Sequence, residues 1–201
     1  MKIFIILPFK ESLNPRYSGA VSIFCKDIYN YSKYKKNIKI ISSADFSKKK
    51  LFRNQNYIND FCKKYKNDKI DIIELHNRPE YVNKIKQHFP KSKIILTFHN
   101  DPINLRGSKK LSERKNLFIN CHKLIFVSNW IKKRFFLDVN DNYFNYEIIY
   151  HGVNKEKNIN LNKKYKYILF VGKLNKSKGY DIFVEAAKLF IRKNSDWKFI
   201  A

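Results

Sequence analysis

The sequence has few acidic residues and few arginines, and both shortages restrict what it can bind. It contains 17 acidic side chains against 42 basic ones, which gives a formal net charge of +25. Only seven of the basic residues are arginine, the side chain that best reads phosphates and base edges through two parallel contacts. The lysine excess predicts a cationic surface that attracts anionic lipid, polyanions or nucleotides, and it argues against a specific nucleic-acid reader.

Cysteines and long apolar runs are also scarce. Cys25, Cys62 and Cys121 are odd in number and lack CxxC spacing, which excludes a disulfide framework and a zinc knuckle and favours a reducing cytoplasm. The apolar run from Ile3 to Phe9 is broken by Pro8 and is too short for a signal peptide or a membrane span. We expect a cytoplasmic protein that meets a membrane, if it does, peripherally at the inner face.

Several catalytic motifs are missing. None of the five glycines forms a GxxxxGK[ST] or GxGxxG pattern, so P-loop NTPases and standard dinucleotide-binding dehydrogenases lose their signature. HExxH and GxSxG are absent, and the Cys121-His122 pair has no second pair nearby. We therefore expect no metal and no cofactor.

What is present is apolar content of 44%, enough for a core, arranged as strands that alternate with helices. This alternation predicts a doubly wound, parallel-sheet α/β domain. The predicted strands are residues 3–7, 38–41, 70–75, 93–98, 124–127 and 147–150. The predicted helices follow Ser18-Gly19 and then cover residues 57–65, 80–89, 111–120 and 128–136, the last with Ser128 as its N-cap.

A second unit begins after this domain. We predict an N-terminal domain over residues 1–154, a Lys- and Asn-rich linker over 155–166, and the start of a second Rossmann-like domain over 167–201. That start consists of a strand at 167–171, a helix at 180–191 and a strand at 197–201. A β-α-β piece of this size lacks a core of its own, so we expect the natural protein to be longer.

Polar residues cluster where the predicted strands end, which is the edge at which open parallel sheets bind ligands. Three of the five histidines lie on this rim: His76, His99 and His151. Loops are polar whatever they do, but several histidines at strand ends favour function. In the second unit, Lys173 and Lys178 flank a glycine loop suited to a diphosphate, although ordinary loop lysines would give the same pattern.

Together these segments resemble the family 4 type of retaining glycosyltransferases with the GT-B fold, over essentially all 201 residues. The segments that carry the resemblance are Tyr17-Ser18-Gly19-Ala20, Phe98-His99-Asn100-Asp101-Pro102, Val127-Ser128-Asn129-Trp130, Ile149-Tyr150-His151-Gly152-Val153-Asn154, Phe170-Val171-Gly172-Lys173-Leu174 and Lys178-Gly179-Tyr180-Asp181. The family has two Rossmann-like domains, the N-terminal one mainly for the acceptor and the C-terminal one for the nucleotide-sugar donor.

The resemblance implies a role for particular residues. His99 resembles the active-site histidine that hydrogen-bonds the transferred sugar, and Gly19 the glycine whose backbone approaches the donor diphosphate. Lys173 and Lys178 resemble the basic pair that neutralises the leaving diphosphate, which removes the need for a metal. Asn100 and Asp101, next to His99, are expected to contact substrate as well.

The sequence departs from the family pattern in places. Lys173 stands where Arg is usual, Ser18 where a second glycine is common, and His151-Gly152-Val153-Asn154 where Asn-Gly-Val/Ile-Asp is usual. The family's two glutamates separated by seven residues, which serve the donor, would lie beyond Ala201. We expect these 201 residues alone to be inactive.

The leading hypothesis is a fragment of a metal-independent hexosyltransferase that uses a nucleotide-diphosphate sugar and retains the anomeric configuration. Its acceptor would be a saccharide or a lipid-linked one, in cell-surface polysaccharide or lipopolysaccharide synthesis. The alternative is a non-catalytic basic module that binds an anionic membrane or polyanion through Lys48-Lys49-Lys50, Lys63-Lys64 and Lys132-Lys133-Arg134. Nucleic acid is not expected, because the aromatic residues fall in apolar stripes. A degenerate paralogue is a third possibility.

Overall fold

The computed structural model describes residues 1–46, 57–139, 145–153 and 164–201. The chain separates into two compact units, Met1–Gly152 and Val153–Ala201. The predicted linker at 155–166 falls largely on residues 154–163, which lie outside the described residues, as do Lys48, Lys49 and Lys50. The two units are described separately below.

The first unit alternates strands and helices along the chain, as its hydrophobic periodicity predicts. The strands are β1 (Ile3–Ile6), β2 (Ile38–Ile41), β3 (Ile72–His76), β4 (Lys93–Phe98), β5 (Lys123–Phe126) and β6 (Tyr146–Ile148). The helices are α1 (Ala20–Tyr31), α2 (Tyr57–Lys64), α3 (Val82–His88), α4 (Leu111–Asn120) and α5 (Asn129–Phe135).

The six strands form one parallel sheet in the order β2-β1-β3-β4-β5-β6. This confirms the predicted α/β, Rossmann-like fold class. The chain first winds outward from β1 to β2 and then returns past β1 to β3, so the winding direction reverses between β1 and β3. In open parallel sheets, the carboxyl ends of the strands at such a reversal are where ligands bind.

The two faces of the sheet are covered unequally. On one face, α1 packs through Val21 and Cys25 against Ile5 and Leu7, with few other buried side chains. The other four described helices of this unit pack on the opposite face. There Phe4 and the other strand residues that point away from α1 enter a much larger apolar cluster. The rim of the face that α1 covers can therefore hold polar side chains, since little apolar core is built there.

Several element boundaries differ from the prediction for local reasons. The predicted helix at 80–89 begins with a 3-10 turn at Pro79–Tyr81 and becomes α-helical at Val82. It ends at His88 because Phe89, which precedes a proline, is pushed out of the helical region. β3 starts at Ile72 and not at residue 70, whose carbonyl oxygen accepts a hydrogen bond from Ser92 Oγ at 2.6 Å.

The second unit contains a strand, a helix and a strand: β7 (Tyr167–Leu169), α6 (Tyr180–Ile191) and β8 (Lys198–Ile200). The two strands pair in parallel, as in the first unit. Gly179, with a left-handed φ of 74°, ends the preceding 3-10 turn and starts α6. Among the described helices of either unit, none is both long and apolar enough to cross a membrane.

Candidate functional site

The end of β3 places a carboxylate and an imidazole on one face of the sheet. Side chains two residues apart on a strand point the same way, so Glu74 and His76 are neighbours on the face that carries α1. Nε2 of His76 lies 3.1 Å from Oε1 of Glu74. This nitrogen makes no aligned hydrogen bond within the described chain, and its contact with Glu74 is an ion pair when His76 is protonated. His76 is fully buried, and the thiol of Cys25 on α1 lies against it.

β4 brings a second histidine to the same place. His76 is in register with Thr97, and His99 stands two residues farther along on the same face. Nδ1 of His76 and Nε2 of His99 are 2.9 Å apart, which is hydrogen-bond distance. The two rings therefore share a proton across the gap between neighbouring strands.

The backbone after β4 is held by Asn77. Its Oδ1 accepts hydrogen bonds from the backbone N–H of His99 at 2.7 Å and of Asn100 at 3.1 Å. Its own N–H donates to the carbonyl of Thr97, and its φ of 53° is left-handed. Asn77 thus positions His99 without contacting its ring. The sequence offered only a weak signal for this role, an asparagine directly after a strand.

His151 reaches the same cluster from beyond β6, although β5 separates β6 from β4. Its Nε2 lies 2.9 Å from Nδ1 of His99. Its ring packs on Phe24 of α1 at 4.4 Å between centroids, and Phe24 meets the ring of His99 at 5.2 Å. We call the four residues Glu74, His76, His99 and His151 the histidine row. Glu74 lies at its inner end and the exposed His151 at its outer end.

The residues of the row have pKa values that are shifted in opposite directions. Burial opposes a charge on His76, but the sulfur of Cys25 and the carboxylate of Glu74 outweigh it and raise the pKa of His76 to about 10. Burial of Glu74 is likewise outweighed, mainly by His76, so the pKa of Glu74 is lowered. Burial, His76 and His151 lower the pKa of His99 to about 3. Burial and then His76 lower the pKa of His151. At neutral pH the positive charge stays on His76.

Gly19, expected to approach a diphosphate, is the N-cap of α1. A carboxylate already occupies this helix terminus: Oε2 of Glu11 accepts the N–H of Ser22 at 2.8 Å. A Cβ added at Gly19 would lie 2.4 Å from Cδ of Glu11. The glycine is therefore needed for the approach of Glu11, and a diphosphate would have to displace that carboxylate.

Asn100 and Asp101 differ in whether their side chains already contact other residues. Asn100 is exposed at the rim. The carboxylate of Asp101 contacts the guanidinium of Arg134, with Nη2 at 2.9 Å and Nε at 3.1 Å from Oδ2. It also accepts the N–H of Ile103 and the amide of Asn104, which caps the turn at Pro102–Asn104. Asp101 thus anchors α5 to the loop that carries His99.

Lys173 and Lys178 lie in the loop between β7 and α6 of the second unit, and both are exposed. The loop folds back on itself: a Cβ added at Gly172 would lie 3.8 Å from Cβ of Lys178. The backbone of Lys178 therefore lies next to Gly172, the residue that precedes Lys173. The backbone positions of the two lysines are close together in the loop, just before the N-terminus of α6.

The remaining basic clusters are partly engaged. Lys132 lies over the rings of Phe136 and Tyr146, and Arg134 is the partner of Asp101.

Across residues 1–46, 57–139, 145–153 and 164–201, no three His, Cys, Asp or Glu side chains are arranged to hold a metal ion. The two contacts between histidines in the row each join one ring nitrogen to another, so these nitrogens do not converge on a common point.

Comparison with known proteins shows a weak similarity to a curated protein. The chain is 26% identical over 145 aligned positions to the "Putative glycosyltransferase YtcC" of Bacillus subtilis (strain 168). The alignment covers 63% of this chain and 35% of that protein, so the chain spans about a third of the length of its curated relative. No family model matches the sequence.

Proposed function

We propose that this chain is part of a glycosyltransferase that takes a sugar from a nucleotide-diphosphate donor. The observation that carries the proposal is the histidine row at the carboxyl ends of β3 and β4, next to the point where the winding direction of the sheet reverses. Polar groups with opposed pKa shifts at this place in an open parallel sheet are typical of active sites. The similarity to a protein described as a glycosyltransferase supports the same reaction class.

The chemistry of the reaction fits the residue types at hand. Transfer builds positive charge on the sugar and negative charge on the departing diphosphate. In our proposal the histidine row of the first unit binds the sugar at its exposed end, with Asn100 as an exposed partner. Lys173 and Lys178 of the second unit bind the diphosphate. Because both are lysines, they act as point charges and not as two-pronged guanidinium clamps.

The finer parts of the proposal rest on the family resemblance. They are retention of configuration, transfer of a hexose, independence from metal, and a saccharide or lipid-linked acceptor in cell-surface polysaccharide synthesis. A cationic surface would bring such an enzyme to an acceptor in an anionic membrane. Donor and acceptor are the partners proposed; nucleic acid is not.

The test is transfer by the longest protein that contains this chain. The protein is incubated with a panel of nucleotide-diphosphate sugars and with saccharide and lipid-linked acceptors, and the released nucleoside diphosphate is measured. We expect His99→Ala to lower the rate at least about 100-fold, because it interrupts the histidine row that binds the reacting sugar. NMR of the product reports the anomeric configuration.

The control variant is His122→Ala, which changes an exposed histidine outside the row and should leave the rate unchanged. Near-normal transfer by His99→Ala would contradict the site assignment. Absence of release with every donor would contradict the reaction class.

A further inference from the structure

Both ring nitrogens of His99 are already bonded, and this determines which histidine can meet a ligand. Nε2 faces His76 and Nδ1 faces His151, each at 2.9 Å. An imidazole has only these two hydrogen-bonding atoms. His99 therefore has no ring nitrogen left for a sugar or a phosphate while the row is intact.

The outer end of the row is different. His151 uses Nε2 for its contact with His99, and its Nδ1 has no hydrogen-bond partner within the described residues. The residue is exposed, and Phe24 supports one face of its ring. His151 thus presents one oriented, unused ring nitrogen to solvent at the edge where the site opens.

The protons in the row can be ordered in only two ways. A carboxylate only accepts, so Nε2 of His76 carries a proton beside Glu74. If His76 carries no second proton, His99 donates through Nε2, His151 donates through its Nε2, and Nδ1 of His151 is a bare acceptor. If His76 also carries a proton on Nδ1, every bond reverses and Nδ1 of His151 carries a proton.

We propose that the histidine row is a proton relay in which Nδ1 of His151, and not His99, is the atom that hydrogen-bonds an oxygen of the ligand. One proton enters at Nδ1 of His151, the proton on its Nε2 passes to Nδ1 of His99, and the proton on Nε2 of His99 passes to Nδ1 of His76. Each ring gains one proton and loses one except His76, which ends as an imidazolium beside Glu74. The reverse sequence delivers the proton outward.

The electrostatics of the row agree with this order. The pKa of His76 is raised to about 10 while the pKa of His99 is lowered to about 3, so the extra proton is held at the inner end. Three groups face His76: the carboxylate of Glu74, the thiol of Cys25 and the neutral ring of His99. At neutral pH the outer nitrogen therefore carries its proton and donates it to an oxygen. The role of this donated proton in sugar transfer rests on the proposed function.

The relay can be observed in the free protein by NMR of the histidine ring nitrogens. In the ¹⁵N-labelled chain we expect couplings through hydrogen bonds between His76 and His99 and between His99 and His151. His151→Phe should keep the ring packing against Phe24 and lose only the second coupling, and His122→Gln should lose neither. No coupling between His99 and His151 in the unaltered chain would overturn the proposal.

The ligand-facing atom is tested with two probes that differ in the source of the oxygen. Inorganic pyrophosphate supplies phosphate oxygens, and methyl α-D-glucopyranoside supplies uncharged hydroxyls. We expect one of them to shift Nδ1 of His151 more than either ring nitrogen of His99, and the active probe identifies the source. Larger shifts at His99, or no shift in any ring of the row with either probe, would overturn the role of His151. The couplings need no substrate, so failure of the transferase assay and failure of the relay are separate results.

Discussion

At the scale of single residues, the candidate site depends on side chains that hold the histidines in place. Asn77 adopts a left-handed backbone conformation, which costs most other residues about 1 kcal/mol. Its side chain is the acceptor for two backbone N–H groups of the next loop, and only 7% of the residue is exposed. The position of His99 is therefore set by a neighbour 22 residues earlier in the chain.

We expect Asn77→Ala to lower the free energy of unfolding by about 3 kcal/mol, because two backbone N–H groups lose their acceptor and alanine is unfavourable at this φ. Urea denaturation followed by circular dichroism measures the change. Asn77→Asp is the matched variant, since it keeps an oxygen where Oδ1 stands, and its loss should be less than half as large. Equal losses in the two variants would show that the hydrogen bonds are not the cause.

At the scale of elements, local signals were most reliable where a cap or a proline sets a boundary. Ser128 was predicted as an N-cap, and its Oγ accepts the N–H of Ile131 at 3.2 Å at the start of α5. The predicted bounds of β2, β4, α4 and α6 match the structure residue for residue. The predicted end of β6 at residue 150 is wrong: the strand stops at Ile148, and the following residues lead to His151.

Removal of this cap should be a small, local change. We expect Ser128→Ala to lower the free energy of unfolding by about 1 kcal/mol, because one N–H at the start of α5 loses its acceptor. Chemical denaturation is again the measurement. Ser112→Ala, at an exposed position in the first turn of α4, is the control and should change the stability by much less. A similar loss in both variants would contradict the capping role.

At the scale of the whole molecule, the histidine row links stability to pH. The pKa of His76 in the fold, about 10, lies above the ordinary value of 6.5, so its contribution is complete below pH 6.5 and is lost as the pH rises toward 10. The pKa of His99, about 3, lies below 6.5, so its contribution is present above pH 6.5 and is lost as the pH falls. The two effects oppose each other.

We expect His76 to affect the pH dependence of stability above neutral pH and His99 to affect it below neutral pH. The difference in melting temperature between the unaltered protein and His76→Gln should shrink as the pH rises from 7 to 9.5. The corresponding difference for His99→Gln should shrink as the pH falls from 6.5 to 5. Thermal unfolding across this range measures both differences, with His122→Gln as the control. Differences that do not change with pH would contradict the charge distribution in the row.

The sequence predicted the order of strands and helices, the parallel α/β class and the edge of the sheet where polar residues gather. Those features follow from spacings of two to four residues and from residues at strand ends, which local physics governs. It also placed three histidines on one rim. The sequence did not reveal Glu74 and Asn77 as parts of the site, although the spacing of Glu74 and His76 on a strand was a usable signal.

The tertiary structure brings the three histidines into contact. His76 and His99 are 23 residues apart and His99 and His151 are 52 apart, so their contacts depend on strand order, on register and on the path of the chain after β6. It also decided that Asp101 binds Arg134 and that Glu11 occupies the start of α1. Those pairings arise when separate elements pack together, because burial then brings charged groups into contact that no local pattern records.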